Sequence, residues 1–174
     1  TVYTPAGTGA IATTVQAKLR ESVSVLDFGA VGNGVTDDRD AIVAAIAAVS
    51  AAGGGRIYFP TGTYIVASSF TVPNYVSLVG AGMNVSIIKR TFTGDFITSF
   101  GGYASLEDLT IEGNTASVGT GRGVVFAASS PSSHFLNVSI QNFVLACVDF
   151  PTDCGATFRA INCNFYTTGT VGDR

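Results

Sequence analysis

Three nine-residue stretches share one apolar pattern: LEDLTIEGN from Leu106, FLNVSIQNF from Phe135 and FRAINCNFY from Phe158. Their first, fourth and sixth positions are Leu106, Leu109 and Ile111; Phe135, Val138 and Ile140; and Phe158, Ile161 and Cys163. The copies start 29 and then 23 residues apart, and each is preceded by a shorter apolar run, DFITSF, GVVFAA or ACVDF. A unit of this size, an apolar strand, a bend and a second apolar strand, is one turn of a β-solenoid. Unequal bends fit a parallel β-helix better than a sandwich, because insertions lie outside the core. Inward positions of one rung then stack on the next about 4.8 Å away. This alignment predicts Phe143 over Tyr166, and a polar ladder of Glu112, Gln141 and Asn164.

The remaining β-rich text agrees. RIYF, TYIVA, SFTV, YVSLVG and VSIIKR are short β-branched and aromatic runs bounded by Gly, Pro, Asn and Ser, so everything after Gly55 reads as strand. At 174 residues and 47% hydrophobic content the chain supports one domain with a real core. Charged residues make up 12%, the net charge is −3, and no run of Lys or Arg occurs, which argues against nucleic acid and against an anionic membrane surface. The Ala41–Ala52 stretch is too short to span a bilayer, and the N-terminal sequence lacks a basic region followed by an apolar core. Cys147, Cys154 and Cys163 do not have the spacing of common zinc sites, and are expected to be reduced, buried thiols.

Upstream of the β region, Thr1–Gly9 reads as a flexible lead-in and AIATTVQAKLRES as a short helix with Ile11, Val15 and Leu19 on one face. SVSVLDF is a candidate strand. Next comes DFGAVGNGVTDD, with Asp27, Phe28, Gly29, Gly32 and Gly34 ahead of Thr36, Asp37 and Asp38. Its glycines follow G-x-x-G-x-G, which is not the dinucleotide fingerprint, and no Gly-Lys-Ser/Thr follows. GAGMNV from Gly80 fails the same test. Asp37, Asp38 and Asp40 lack calcium-loop spacing, so neither a cofactor nor a metal is expected here. The stretch reads as a helix start instead. Thr36 or Asp37 is placed to accept from first-turn amides, and Asp38 and Asp40 lie where the helix dipole favours negative charge. Ile42, Ala45, Ile46 and Val49 form the apolar face, and Gly53–Gly55 end the helix. An open solenoid end exposes unpaired backbone groups, and this amphipathic helix is placed to cover one. The expected organisation is 1–22, a lead-in and connecting helix; 23–55, the cap; and 56–174, the first coils of a β-helix, truncated at its far end.

Together, TVQAKLRESVSVLDFGAVGNGVTDDRDAIVAAIAAV, GGGRIYFPTGTYIV and VSLVGAGMNVSIIKR resemble the N-terminal part of the pectate-lyase-like right-handed β-helix superfamily, and within it the tailspikes of tailed bacteriophages. The resemblance implies a mostly β fold, a right-handed parallel β-helix with an α-helical N-terminal cap, assembled as a homotrimer on the virion tail after synthesis in the bacterial cytoplasm. It also implies recognition, and often cleavage, of host capsule or lipopolysaccharide glycan, with other virion tail proteins bound through the N-terminus.

Glycoside hydrolysis normally needs two carboxylates flanking one linkage, and elimination from a uronate needs a base with cationic or metal assistance. The β region offers Asp95, Glu107, Asp108, Glu112, Asp149 and Asp153. Glu107 and Asp108, adjacent on a strand, are expected to face opposite sides. Glu112 and Asp149 are the catalytic candidates, although a turn ladder for Glu112 and an outward strand position for Asp149 explain both. Lys89, Arg90, Arg122 and Arg159 are scattered, and His134, the single histidine, has no evident acid partner in sequence. Two sequons, at Asn84 and Asn137, carry little weight without a secretory signal. Three readings remain open: a tailspike fragment of connecting helix, cap and first coils whose carbohydrate site lies in downstream coils or between subunits, a stand-alone polysaccharide lyase or hydrolase, and a structural virion adaptor.

Overall fold

Strand after strand in this chain stacks on the strand one coil earlier. The computed structural model describes residues 1–19, 22–114, 121–128, 130–151 and 157–167. The order is β1 (Val2–Tyr3), β2 (Thr13–Thr14), α1 (Val15–Leu19), β3 (Val23–Ser24), a 3-10 turn (Val25–Phe28), β4 (Asn33–Asp37) and α2 (Arg39–Ala51). Strands follow: β5 (Gly55–Phe59), β6 (Gly62–Val66), β7 (Phe70–Val72), β8 (Val76–Gly80), β9 (Ser86–Arg90), β10 (Ile97–Phe100), β11 (Ser105–Glu112) and β12 (Arg122–Phe126). The last are β13 (Ser133–Phe143), β14 (Ala146–Asp149), β15 (Phe158–Ile161) and β16 (Asn164–Thr167). Apart from β1 with β2, every described pairing is parallel. The result is a parallel β-helix of about five turns.

Its walls are a ten-stranded sheet and a four-stranded sheet of β7, β10, β12 and β14. Like residues stack in the interior. Ile57, Leu78, Leu106 and Phe135 form one column and Tyr64, Ile88, Ile111 and Ile140 another, all essentially inaccessible. Phe100, Phe126 and Phe135 meet with ring centroids 5.3 to 6.0 Å apart. Burial of this kind contributes about 25 cal/mol per Å² of apolar surface, the main favourable term available to a chain with so few charges.

A bend divides the long strands. Asp108, Asn137 and Asn162 adopt φ of 52°, 54° and 53°, the left-handed region that Asn and Asp tolerate better than most residues. Each such residue resets the alternation, so Leu106 and Leu109, three apart, both point inward. Their side chains also form a ladder along the axis: Asn137 Nδ2 donates to Asp108 Oδ1, and Asn162 Nδ2 to Asn137 Oδ1, both at 2.8 Å.

The ladder corrects the register expected for the third repeat. Leu106 lies opposite Phe135 as the pattern predicts, but Phe135 lies opposite Ala160 and Ile140 opposite Phe165, two residues beyond the expected partners. Phe143 therefore faces Thr167, and Tyr166 faces Gln141. A slip of two keeps faces within a straight strand but not across the bend: Ile161, expected inward opposite Val138, lies opposite Leu136 on the outer face and is 42% exposed.

The N-terminal region also differs in detail. Val2 and Tyr3 pair with Thr14 and Thr13 in what reads as a flexible lead-in. The first helix begins at Val15, which leaves Ile11 outside it and 82% exposed. SVSVLDF is a two-residue strand followed by a 3-10 turn, because Ser24 accepts from Leu26 N–H and Asp27 accepts from Ser24 N–H, closing a capping box. Helix α2 buries Ile42, Ala45, Ile46 and Val49 against that turn and β5.

Asp37 accepts from the first-turn amide of Arg39 as expected, while Asp38, the N-cap residue by position, makes no side-chain capping bond and turns its carboxylate back to accept from the N–H groups of Val31 at 2.6 Å and Gly32 at 3.1 Å. Asp37 Oδ1 accepts from Arg39 N–H at 3.1 Å and Ala67 N–H at 3.2 Å; Thr36 bonds Asn33. Gly32 has φ 65°, and a β-carbon there would fall 2.8 Å from the Tyr64 ring, so the loop needs glycine for shape.

Candidate functional site on the outer face

Alternation along β5 sends Ile57 and Phe59 into the core and Arg56 and Tyr58 outward. The same parity places Ser77 and Val79 on β8, Ser105 and Glu107 on β11, His134 and Leu136 on β13, and Arg159 and Ile161 on β15. Parallel stacking thus lines up residues that are dozens of positions apart in sequence.

At the centre is Glu107, 8% exposed. The Arg56 guanidinium reaches across β8, past the small Ser77, and donates to Glu107 Oε1 at 3.2 Å and Oε2 at 2.6 Å. Ser105 Oγ donates to Oε1 at 2.7 Å, and His134 Nε2 lies 3.5 Å from the same oxygen. Burial pushes the Glu107 carboxyl up, but the hydrogen bonds from Ser105 and Arg56 outweigh it and hold the group below the usual carboxylate range. The Arg56 and His134 side chains remain more than half exposed. Beside them is a shallow groove of about 330 Å³ lined by His134, Leu136, Arg159 and Ile161, among others.

Two tyrosines flank this face at the bends preceding β8 and β11. Tyr75 and Tyr103 stack with centroids 5.1 Å apart and planes 2° from parallel, each more than half exposed. Such a surface combines a fixed carboxylate, exposed nitrogen donors and aromatic rings. Those are the groups that bind a polar ligand with partly apolar faces, as pyranoses are.

The expected candidates lie apart from one another. Glu112 is opposite Lys89 and Gln141 and pairs with Lys89 at 3.0 Å; Tyr166, not Asn164, continues its row. Asp149 is on β14 in the other sheet, where Arg122 Nη1 donates to it at 2.6 Å. Arg122 also donates through Nε to Asp95 Oδ1 at 3.0 Å, and its hydrogen bonds hold the Asp95 carboxyl below its ordinary value. The structure therefore brings Glu112 and Asp149 each to a cation and not to each other. Asp108, at the bend, spends its carboxylate on Asn137.

His134 sits on β13 and does have an acid partner, Glu107. Arg90 is wholly buried between the Phe92 and Phe143 rings, 5.7 and 4.9 Å from their centroids, and Nη1 donates to the Gly94 carbonyl. Cys147 is buried, and burial pushes its thiol up to about 11. Cys163 is only half-buried; Asp153 and Cys154 lie outside the described residues. Arg56, Ser105, Tyr75 and Tyr103 escaped sequence reasoning. The available signals were the outward parity of Arg56 in RIYF and the tyrosines just before two strands.

The family model described as rhamnogalacturonase A/epimerase, pectate lyase-like matches residues 22–170. The mannuronan C5-epimerase AlgE6 of Azotobacter vinelandii is 43% identical over 109 residues, 53% of this chain and 12% of the epimerase. The pre-neck appendage protein of Bacillus phage B103 is 34% identical over 128 residues, 68% of this chain and 14% of that protein. Among solved structures, a tailspike mutant of E. coli bacteriophage HK620 superposes with a TM-score of 0.75 at 19% identity, over 93% of this chain and 33% of that chain, a likeness of fold. This chain thus spans a small part of the length of the curated relatives it matches.

Proposed function

Because the chain belongs to the rhamnogalacturonase A/epimerase, pectate lyase-like family, we propose that it is a β-helix portion of a phage tailspike or appendage whose outer face binds bacterial surface polysaccharide. The observation that carries this reading is the Arg56–Glu107–His134 cluster with Ser105, in which the buried Glu107 and Ser105 hold the exposed Arg56, with His134 beside them, on one outer wall. The names of the relatives support it, since one acts on mannuronan and another is a phage appendage. In this reading the partner is capsule or lipopolysaccharide glycan. The protein assembles as a homotrimer on the virion tail, and residues 1–22 lead toward other tail proteins. Exposed Val2, Ile11, Val31 and Val35 near the N-terminal end support contacts there. Residues 23–55 serve as the cap of the helix, with α2 over the first coil.

A second reading, polysaccharide cleavage, is favoured by one observation, the approach of His134 to Glu107. A carboxylate beside one imidazole nitrogen orients the ring, an arrangement used in acid–base chemistry. Glu112 and Asp149 each pair with a separate cation on separate sheets.

The test is a glycan array of bacterial capsular and lipopolysaccharide glycans with oligomannuronates. We expect at least one glycan to bind, and His134→Ala and Arg159→Ala to weaken that binding about tenfold. An array without a hit overturns the reading in favour of a structural adaptor. A fall in polymer viscosity that His134→Ala abolishes would establish the second reading, and sedimentation reports the trimer.

A further inference from the structure

Tyr75 and Tyr103 occupy equivalent positions in successive rungs, and the register extends their column to Gly54 on one side and Ser132 on the other. All four are in the left-handed region, with φ of 110°, 64°, 53° and 39°. Glycine suits that conformation, and the other bend of this β-helix uses Asp and Asn for it. Tyrosine does not: a bulky side chain at positive φ is uncommon and strained. The two tyrosines are also not retained for burial, being 55% and 52% exposed. Two adjacent departures from local preference, both presenting rings to solvent, mark a position selected for something other than the bend.

The residues that continue the column on either side of the pair are small. Each ring uses one face on the other, at 5.1 Å and 2°. On the Tyr75 side the column continues with Gly54, where a β-carbon would fall 2.5 Å from Tyr75 Cβ. On the Tyr103 side it continues with Ser132, a side chain too short to cover a ring. Hydroxyls at the ring tips add hydrogen-bonding capacity beside the apolar faces.

We infer that the Tyr75–Tyr103 stack is a pyranose-binding platform, on which the apolar C–H face of a sugar ring lies against an outer tyrosine face while neighbouring sugars of the same chain reach the Arg56–Glu107–His134 wall. This deepens the proposed function and rests on it. A rigid platform with its two rings already stacked loses little side-chain freedom on binding, which suits repeated weak contacts along a polymer. A structural role alone, one ring steadying the other, predicts stabilisation of the bend but no effect on glycan.

The same array separates these cases. Tyr75→Asn with Tyr103→Asn removes both rings while keeping residues that tolerate positive φ, so the backbone is spared; Tyr75→Phe with Tyr103→Phe keeps both rings. For a glycan bound by the unaltered chain, the Asn pair is expected to weaken affinity about tenfold or more, with circular dichroism unchanged, and the Phe pair to stay within about threefold. If the Asn pair binds as tightly as the unaltered chain while Arg159→Ala does not, the platform is refuted and the glycan-binding wall stands. If the unaltered chain binds no glycan, both fall together.

Discussion

Replacing Asp38 by alanine is expected to destabilise the protein more than any other single change in the Gly-rich loop. Its side chain is 2% exposed and accepts from two backbone amides, at 2.6 and 3.1 Å. Hydrogen bonds to a charged acceptor contribute about 1.5–3 kcal/mol each, and a buried donor left unpaired carries a further penalty. Alanine removes both bonds, so the expected loss is about 3–5 kcal/mol. Asp38→Asn retains one acceptor oxygen and turns an NH2 group toward the second amide, for an expected loss of about half as much. Asp37→Ala should cost about 1 kcal/mol, the usual worth of a helix-capping side chain. Asp40→Ala, which touches only Arg39 at the surface, should produce no measurable change. Urea denaturation followed by circular dichroism gives the ranking, and hydrogen exchange at the Val31 and Gly32 amides reports the bonds themselves. If Asp38→Ala unfolds within ~0.5 kcal/mol of the unaltered chain, or costs less than Asp37→Ala, the loop is not held as argued.

The Asn ladder is tested by Asn137→Ala, which removes bonds to both neighbouring rungs and puts alanine at φ 54°; urea unfolding should show a loss of about 2–3 kcal/mol, part of it recovered in Asn137→Gly. Tyr64, buried and with its hydroxyl donating to the Pro60 carbonyl, has its ionisation pushed up to about 12. Ultraviolet titration should find one tyrosine resisting ionisation at pH 11. The stability linked to it is fully present below about pH 10 and lost as pH rises toward 12. The depressed Asp95 and Glu107 carboxyls work in the opposite direction: their contribution is present above about pH 4 and lost as pH falls through their lower folded values. Melting temperature should therefore drop between about pH 4 and 2, and Arg122→Leu should flatten the part due to Asp95.

Much of the architecture was legible in the residues themselves. The recurring apolar triplets marked a stack of coils, and the inward identity of Leu106, Leu109, Ile111, Phe135 and Ile140 followed from strand alternation and bend spacing. Ile42, Ile46 and Val49 marked the apolar face of α2. These features are local, so propensity and hydrophobic period carry them.

What tertiary structure decided was which residues stand beside which. Side-chain direction in a strand repeats every two residues, so the pattern within a straight strand tolerates a slide by two; that slide moved Tyr166 from Phe143 to Gln141 and, across the bend, turned Ile161 outward. The Asp108–Asn137–Asn162 ladder holds the register through hydrogen bonds that no periodicity announces. His134 gained its acid, and Glu107 its Arg56, only because coiling sets positions 27 and 51 residues apart on one wall within hydrogen-bonding reach. Sequence distance says nothing about that until the length of every coil is known.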